Sequence, residues 1–245
     1  MPQAGRSLSN WQLPDQSDLR LEAGYRRQRS ALDQRLAQRE RLIGYKVGVN
    51  DPASQKRLGI TGPIHGYLTS ASLIDATKPV RLGGTVVPGV EVELAMTIDS
   101  RIDPRWTIDD IGRAIGSIRL AAELIDIDDR YDDLEGVLAG NAFHRALAFG
   151  ETTCAFASAE VMQTSLHASR NDRQLWNIPI GFVLGDPREA ARFIGRSLAA
   201  RGQKLLQGDI VISGLLLPLP IWVKPGDRVH VAAGMLGDMT MQFVE

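Results

Sequence analysis

Cysteine is nearly absent from this sequence: Cys154 is the one thiol in 245 residues. One thiol closes no internal disulfide, so the fold needs no oxidising compartment. The stretch Thr152-Thr153-Cys154-Ala155-Phe156 reads as a buried strand, with no partner motif that would make the sulfur a nucleophile. Net charge is also scarce. Lys and Arg number 28 against 29 Asp and Glu, a balance of -1. Such a chain shows no electrostatic footprint for nucleic acid or for an anionic membrane. No apolar run reaches the roughly 18 residues that suggest a spanning helix; the nearest, residues 210–223, is broken by Ser213, Gly214, Pro218 and Pro220. No apolar segment stands behind Met1-Pro2-Gln3-Ala4-Gly5-Arg6, so no signal peptide is expected and the cytoplasm is the expected location. Dinucleotide and ATP chemistry lose their usual support, because neither G-x-G-x-x-G nor a P-loop occurs. A G-x-S-x-G elbow is missing too, and none of the four histidines (His65, His144, His167, His230) has zinc-ligand spacing to another His or Cys.

What is present is an ordinary globular composition, 44% hydrophobic and 23% charged. Residues 17–40 form one charged amphipathic pattern, with Leu21, Leu32 and Leu36 inside it and Leu42 just beyond, set among Arg and Glu. A solvated helix face explains it better than an RNA-binding arm. Residues 43–49 are strand-like and glycine-rich. Asn50 or Asp51 then caps a helix that Pro52 opens and Gly59 stops. Residues 90–98 alternate, with Val90, Val92, Leu94, Met96 and Ile98 opposite Glu91, Glu93, Ala95 and Thr97. Residues 118–126 alternate likewise. A short helix is predicted over 107–115 and a longer one over 186–201, opened by Asp186-Pro187 and stopped by Gly202. Gly208-Asp209 and Pro225-Gly226-Asp227 punctuate a tail of short strands. Strands cluster rather than alternate with helices, which predicts a strand-rich mixed α+β fold, not a doubly wound sheet. The expected division is an N-terminal helical segment, 1–42, and one catalytic domain, 43–245.

Glu91-Val92-Glu93 carries the most chemistry. Residues two apart in a strand point the same way. Two carboxylates on one face beside Ala95 and Thr97 either line a solvated surface or share a hard divalent cation, since burial without one would set them against each other. Glu123 lies within apolar Leu120-Ala121-Ala122-Glu123-Leu124-Ile125, where a carboxylate needs a partner. Asp126, Asp128 and Asp129 follow as a solvated turn or as competing ligands. Lys46, in its glycine-bordered strand, either lies on a strand edge or pairs with a substrate carboxylate and moves a proton. His65, in Pro63-Ile64-His65-Gly66-Tyr67, is the histidine best placed for proton transfer, against a structural role.

Together these pieces resemble the 2-hydroxypenta-2,4-dienoate hydratase and 4-oxalocrotonate decarboxylase group of the fumarylacetoacetate hydrolase superfamily. The resemblance rests on Gly44-Tyr45-Lys46-Val47-Gly48-Val49, Gln55-Lys56-Arg57-Leu58-Gly59-Ile60 and Gly66-Tyr67-Leu68. It continues through Glu91-Val92-Glu93-Leu94-Ala95, Ala122-Glu123-Leu124-Ile125-Asp126 and Leu184-Gly185-Asp186-Pro187. Gly208-Asp209-Ile210-Val211-Ile212-Ser213-Gly214 and Val223-Lys224-Pro225-Gly226-Asp227 complete it. It implies a strand-rich core of fumarylacetoacetate hydrolase type and a homo-oligomer. Glu91, Glu93 and Glu123 are then the metal ligands for Mg²⁺ or Mn²⁺, Lys46 the active-site lysine, and Lys46, Asn141 and Ser213 the substrate contacts. His65, the catalytic candidate of the residue reading, would stand in for a proton carrier of the group that is missing here. Two departures stand out. Hydratases of the group tend to carry an aspartate after the proline of the loop before the Gly-x-Leu element; here the position holds Ile64, then His65, which is more like the decarboxylase branch. The group's Asp-Asn-Ala-Ser segment is Gly140-Asn141-Ala142-Phe143 here.

The expected reaction is addition of water to a 2-hydroxy-2,4-dienoate (a 2-oxo-4-enoate), giving a 4-hydroxy-2-oxo acid through an enolate stabilised by the metal. The alternatives are decarboxylation of a 2-oxo-3-enedioate of the 4-oxalocrotonate type and C–C hydrolysis of an acylpyruvate. The expected partner is a small 2-oxo or 2-hydroxydienoic acid, with no nucleic acid and no membrane. A decarboxylase or hydratase chain of the same group is a candidate partner subunit.

Overall fold

A computed structural model describes residues 11–245. The expectation about the first residues lies outside them. Helix α1 (Leu19–Ala37) precedes strand β1 (Leu42–Gly48), α2 (Pro52–Leu58) and β2 (Ile64–Thr69). Next come β3 (Val80–Arg81), β4 (Val87–Ile98), α3 (Ile108–Ala114) and β5 (Ile115–Ile127). These lead to α4 (Leu134–Ala139), β6 (His144–Phe149), β7 (Cys154–Ala155), α5 (Ser158–Gln163), β8 (Ser165–Arg170) and β9 (Arg173–Pro179). The C-terminal part holds α6 (Gly181–Leu184), α7 (Arg188–Ala199), β10 (Ile210–Ile212), β11 (Ile221–Trp222), β12 (Arg228–Ala232) and β13 (Asp238–Val244).

Local chemistry sets the boundaries. Asp18 caps α1 by accepting from Arg20 N–H. Asp51 caps α2 by accepting from Ser54 N–H, Pro52 occupies the first turn, and Gly59 closes it in the left-handed region at φ 68°. Thr107 and Asp110 form a capping box at α3. Residues 152–156 depart from the buried strand expected there. Only Cys154 and Ala155 are in β7, Ala155 is exposed, and the thiol is half-buried and donates to Met235 O at 3.0 Å. The reason is room along β5: β6 takes its edge from Ala121 to Ile125, leaving β7 only Ser117 and Ile118.

The fold is α+β. An eight-stranded sheet runs β2-β1-β10-β4-β5-β6, with β11 joined to β4 and β7 to β5. A five-stranded sheet runs β3-β13-β12-β8-β9. One face of the larger sheet, including Val47, Val90, Val92, Leu94, Ile118 and Leu120, belongs to a single apolar core shared with α7 and with Val229, Val231 and Met241 of the smaller sheet. The opposite face is less apolar: Leu68, Ala95, Ala121, Leu147 and Ile212 cluster there around the polar residues described below. A third cluster joins α1, α2 and α4 through Leu21, Leu58, Val137 and Leu138.

Edge strand β2 would expose the backbone groups of His65 and Tyr67. Side chains satisfy them. His65 N–H donates to the Tyr25 hydroxyl at 3.0 Å, and His65 O accepts from Gln28 at 3.1 Å. Tyr67 N–H donates to Asn141 Oδ1 at 2.8 Å, and Tyr67 O accepts from Asn141 Nδ2 at 2.9 Å. No helix among the described residues is long and apolar enough to cross a membrane.

Candidate metal and catalytic site

Strand pleating and one register bring the carboxylates together. Glu91 and Glu93 point the same way from β4, and Glu91 sits directly opposite Glu123 of the antiparallel β5. One oxygen from each of the three lies within 4.8 Å of the others. Glu93 and Glu123 are fully buried at 0% exposure, while Glu91 is half-buried. Three carboxylates this close in a dry place repel one another, and only cations or protons relieve that.

Lys46 supplies one cation. It is 1% exposed, reaches from β1 to form an ion pair with Glu123 Oε1, and donates to Ala142 O at 3.1 Å. Its aliphatic stem lies against Gly66, where a side chain would collide with it. His144, at the start of β6, places Nδ1 2.7 Å from the same Glu123 Oε1. Burial alone would lower the Lys46 pKa, but the charges of Glu123, Glu91 and Glu93 overcome it and raise the pKa above its ordinary value. Burial also opposes ionisation of Glu123; Lys46 and the His144 hydrogen bond outweigh it and hold this carboxylate below its ordinary range. Glu91 and Glu93 go the other way. Burial first, then the charge of Glu123, pushes Glu91 up to about 7. The same causes, with Glu91 added, push Glu93 well above the ordinary value. One lysine therefore balances Glu123 and leaves Glu91 and Glu93 in excess.

The donor set fits a hard divalent ion. Glu93 Oε2 accepts from Gly214 N–H at 2.7 Å and Glu123 Oε1 accepts from Lys46 and His144, while the second oxygen of each, Glu93 Oε1 and Glu123 Oε2, is buried with no hydrogen-bond partner. A bare buried carboxylate oxygen is costly unless something binds it, and three carboxylates suit Mg²⁺, Mn²⁺ or Ca²⁺.

The other sequence candidates are placed differently. His65 lies on β2 opposite Val47, so its ring faces the apolar core, away from Lys46. It stacks on Tyr25 at 4.5 Å, meets Ser197 Oγ at 2.7 Å, and is held neutral by burial and by the nearby Arg201 charge, its pKa lowered to about 3. The structure does not bring it to the glutamates. Asn141 is beside the site, but its amide is engaged on both sides by the Tyr67 backbone. The Ser213 hydroxyl is fully buried, accepts from Leu94 N–H at 3.0 Å and donates to Gly214 O at 2.9 Å. It thereby holds the backbone that aims Gly214 N–H at Glu93. Asp126 accepts from Val86 and Val87 N–H at the start of β4, and Asp128 pairs with Arg130, so neither joins the cluster.

Sequence reasoning missed His144 and the Gly214 N–H. A backbone donor has no residue signature, and His144 reaches Glu123 only through the β5–β6 pairing, whose register shifts between Leu124 and Ile125. Its place directly after the Asn141-Ala142-Phe143 segment was the one available signal.

The chain is similar to known proteins along most of its length. The family model described as fumarylacetoacetate (FAA) hydrolase, C-terminal, matches residues 45–244. A TodF product hydratase of Pseudomonas putida is 29% identical over 231 residues, covering 92% of this chain and 85% of that protein. A 2-keto-4-pentenoate hydratase of Paraburkholderia phymatum is 27% identical over 216 residues, covering 87% and 82%. Among solved structures, 4-oxalocrotonate decarboxylase from Pseudomonas putida G7, complexed with magnesium and adipate, superposes with a TM-score of 0.82 at 22% identity, covering 91% of this chain and 86% of that one.

Proposed function

The chain belongs to the fumarylacetoacetate hydrolase family, and from that premise we propose that it is a divalent-metal-dependent hydratase, adding water to a 2-hydroxy-2,4-dienoate to give a 4-hydroxy-2-oxo acid. The observation that carries this reading is the pair of bare buried oxygens, Glu93 Oε1 and Glu123 Oε2, beside Glu91 and the Lys46 ammonium. The hydratase relatives, which align over most of both chains, support the choice of reaction.

In this reading Glu91, Glu93 and Glu123 hold the ion, which when bound supplies Lewis acidity toward a 2-oxo acid. Lys46 keeps Glu123 ionised and holds a proton beside the site, where it balances a substrate carboxylate or returns a proton to carbon. Gly214 N–H and His144 each engage one glutamate oxygen and fix which oxygens remain free. Catalysis belongs to residues 43–245, and the segment 1–42 contributes α1, which covers the outer edge of β2 near the site. A cytoplasmic homo-oligomer is part of the same reading. The exposed apolar side chains Val86 (69%), Leu219 (60%) and Trp222 (42%) support the oligomer, and a single thiol suits a reducing compartment.

A second reading, decarboxylation of a 2-oxo-3-enedioate, is favoured by Ile64. It is fully buried in the α1–α2–α4 cluster, so no carboxyl group stands where hydratases of the group tend to carry an aspartate. The first test is the ultraviolet absorbance of 2-hydroxypenta-2,4-dienoate with purified protein, in Mg²⁺ and in EDTA, with products read by mass. Magnesium-dependent loss of the dienol with gain of one water is the expected result. No change with folded, metal-loaded protein overturns the hydratase, and release of CO₂ from 2-oxohex-3-enedioate then establishes the second reading.

A further inference from the structure

Residues 141–143 do something ordinary L-residues avoid. Asn141, Ala142 and Phe143 are all in the left-handed region, at φ 58°, 50° and 64°. Asn tolerates that conformation, but for Ala and Phe it costs about 1–2 kcal/mol each. Such a turn persists only where its surroundings over-determine it. Here Ala142 N–H donates to Val137 O at 2.8 Å, Asp126 N–H donates to Phe143 O at 3.0 Å, and Asn141 grips the Tyr67 backbone. Two groups are delivered to the glutamates as a result: Ala142 O, which accepts from Lys46, and the ring of His144.

We propose that His144 is a positioning residue for the metal centre: its Nδ1–H donates to Glu123 Oε1 and leaves Oε2 as the single oxygen of Glu123 available to an ion. The inference rests on the divalent-metal reading of the site. The His144 side chain is 5% exposed and Glu123 is 0% exposed, so water does not compete for this contact. The ionised Glu123 oxygen has no proton to give, so Nδ1 is the donor. Lys46 bonds to the same oxygen, and the two donors together pin the carboxylate from one side. The opposite ring nitrogen, Nε2, is buried with no hydrogen-bond partner, so the contact with Glu123 is the ring's one hydrogen bond among the described residues. Partners of this kind orient a ligand and change metal affinity without touching the metal.

The test is calorimetric titration of metal-free protein with Mn²⁺ and with Mg²⁺, for wild type, His144→Ala, His144→Asn and His144→Gln. An asparagine amide reaches about where Nδ1 does, whereas a glutamine amide reaches about where Nε2 does. The proposal expects His144→Ala to weaken metal binding by about 10–100-fold. His144→Asn is expected to recover most of that loss, and His144→Gln to recover little. If His144→Ala does not fold, the Asn and Gln variants carry the comparison alone. Affinities within twofold of wild type in the Ala variant, or equal affinities in folded Asn and Gln variants, overturn the positioning role while leaving the metal site standing. Wild-type protein that binds neither ion overturns the metal reading and this inference with it.

Discussion

Glu93 has one oxygen tied to the Gly214 N–H and the other without a protein partner, in a site that also holds Glu91 and Glu123. Its charge is therefore an asset with a cation present and a liability without one. Glu93→Gln removes the charge at nearly constant volume. Metal affinity is expected to fall by at least about tenfold, while thermal unfolding in EDTA stays at or above the wild-type temperature because a like-charge repulsion is gone. Wild-type affinity in this variant removes Glu93 from the ligand set. His65 shows the opposite kind of titration. Its pKa falls from an ordinary 6.5 to about 3 on folding, first through burial and then through Arg201. Between those values the unfolded chain binds a proton that the folded chain does not, so stability drops as pH falls through that window and is unaffected above it. From pH 6.5 to 5 the contribution is about 2 kcal/mol. Denaturant titrations at pH 7 and 5 are expected to show a smaller acid loss for His65→Phe than for wild type. Equal losses would show that His65 is not neutral in the folded protein.

At the scale of the element, β2 must be bare at Gly66. Lys46 runs across it from the paired β1, and the Asn141 amide comes in from the open edge. A Cβ there would lie 2.7 Å from Asn141 Oδ1 and 2.8 Å from Lys46 Cγ. Gly66→Ala is expected to displace both, lowering stability by about 1–3 kcal/mol and turnover well beyond what that loss of folded protein explains. Gly83→Ala is the control, because its Cβ meets nothing within 4 Å. Comparable kinetics in the two variants would mean that Lys46 does not need its present path. Gly44 is constrained by a different neighbour: its Cβ would meet Ile210 O at 1.9 Å, so the parallel β1–β10 contact exists only because a side chain is missing.

For the whole molecule, the site ties together strands far apart in sequence. Lys46 comes from β1, Glu91 and Glu93 from β4, Glu123 from β5, His144 from β6 and the Gly214 N–H from the segment after β10. An ion that binds this assembly binds only the folded chain. At a hundred times its dissociation constant it adds about 2.7 kcal/mol to stability. For a chain of this length that raises the midpoint by roughly 5–10 °C. Melting curves with Mg²⁺ or Mn²⁺, reversed by EDTA, check this, and a midpoint insensitive to both would contradict a metal centre.

Alternation along 90–98 and 118–126 was sufficient to place Glu91, Glu93 and Glu123 on one side of their strands, because strand pleating depends only on local backbone geometry. Caps and stops such as Asp51, Pro52 and Gly59 located helix α2 for the same reason. Lys46 was legible as an odd residue within an apolar, glycine-bordered run, though not its pairing with Glu123. The sequence by itself thus determined the fold class and the side of their strands from which the three glutamates project, while it left Lys46 either on a strand edge or at a site. Only the tertiary structure decided which way His65 faces, that Asn141 and Ser213 spend their polar groups on backbone, that residues 152–156 are largely outside a strand, and that His144 meets Glu123. These depend on strand register, on competition for a strand's free edge and on backbone donors, all of which arise between segments distant in the chain and leave no local mark in it.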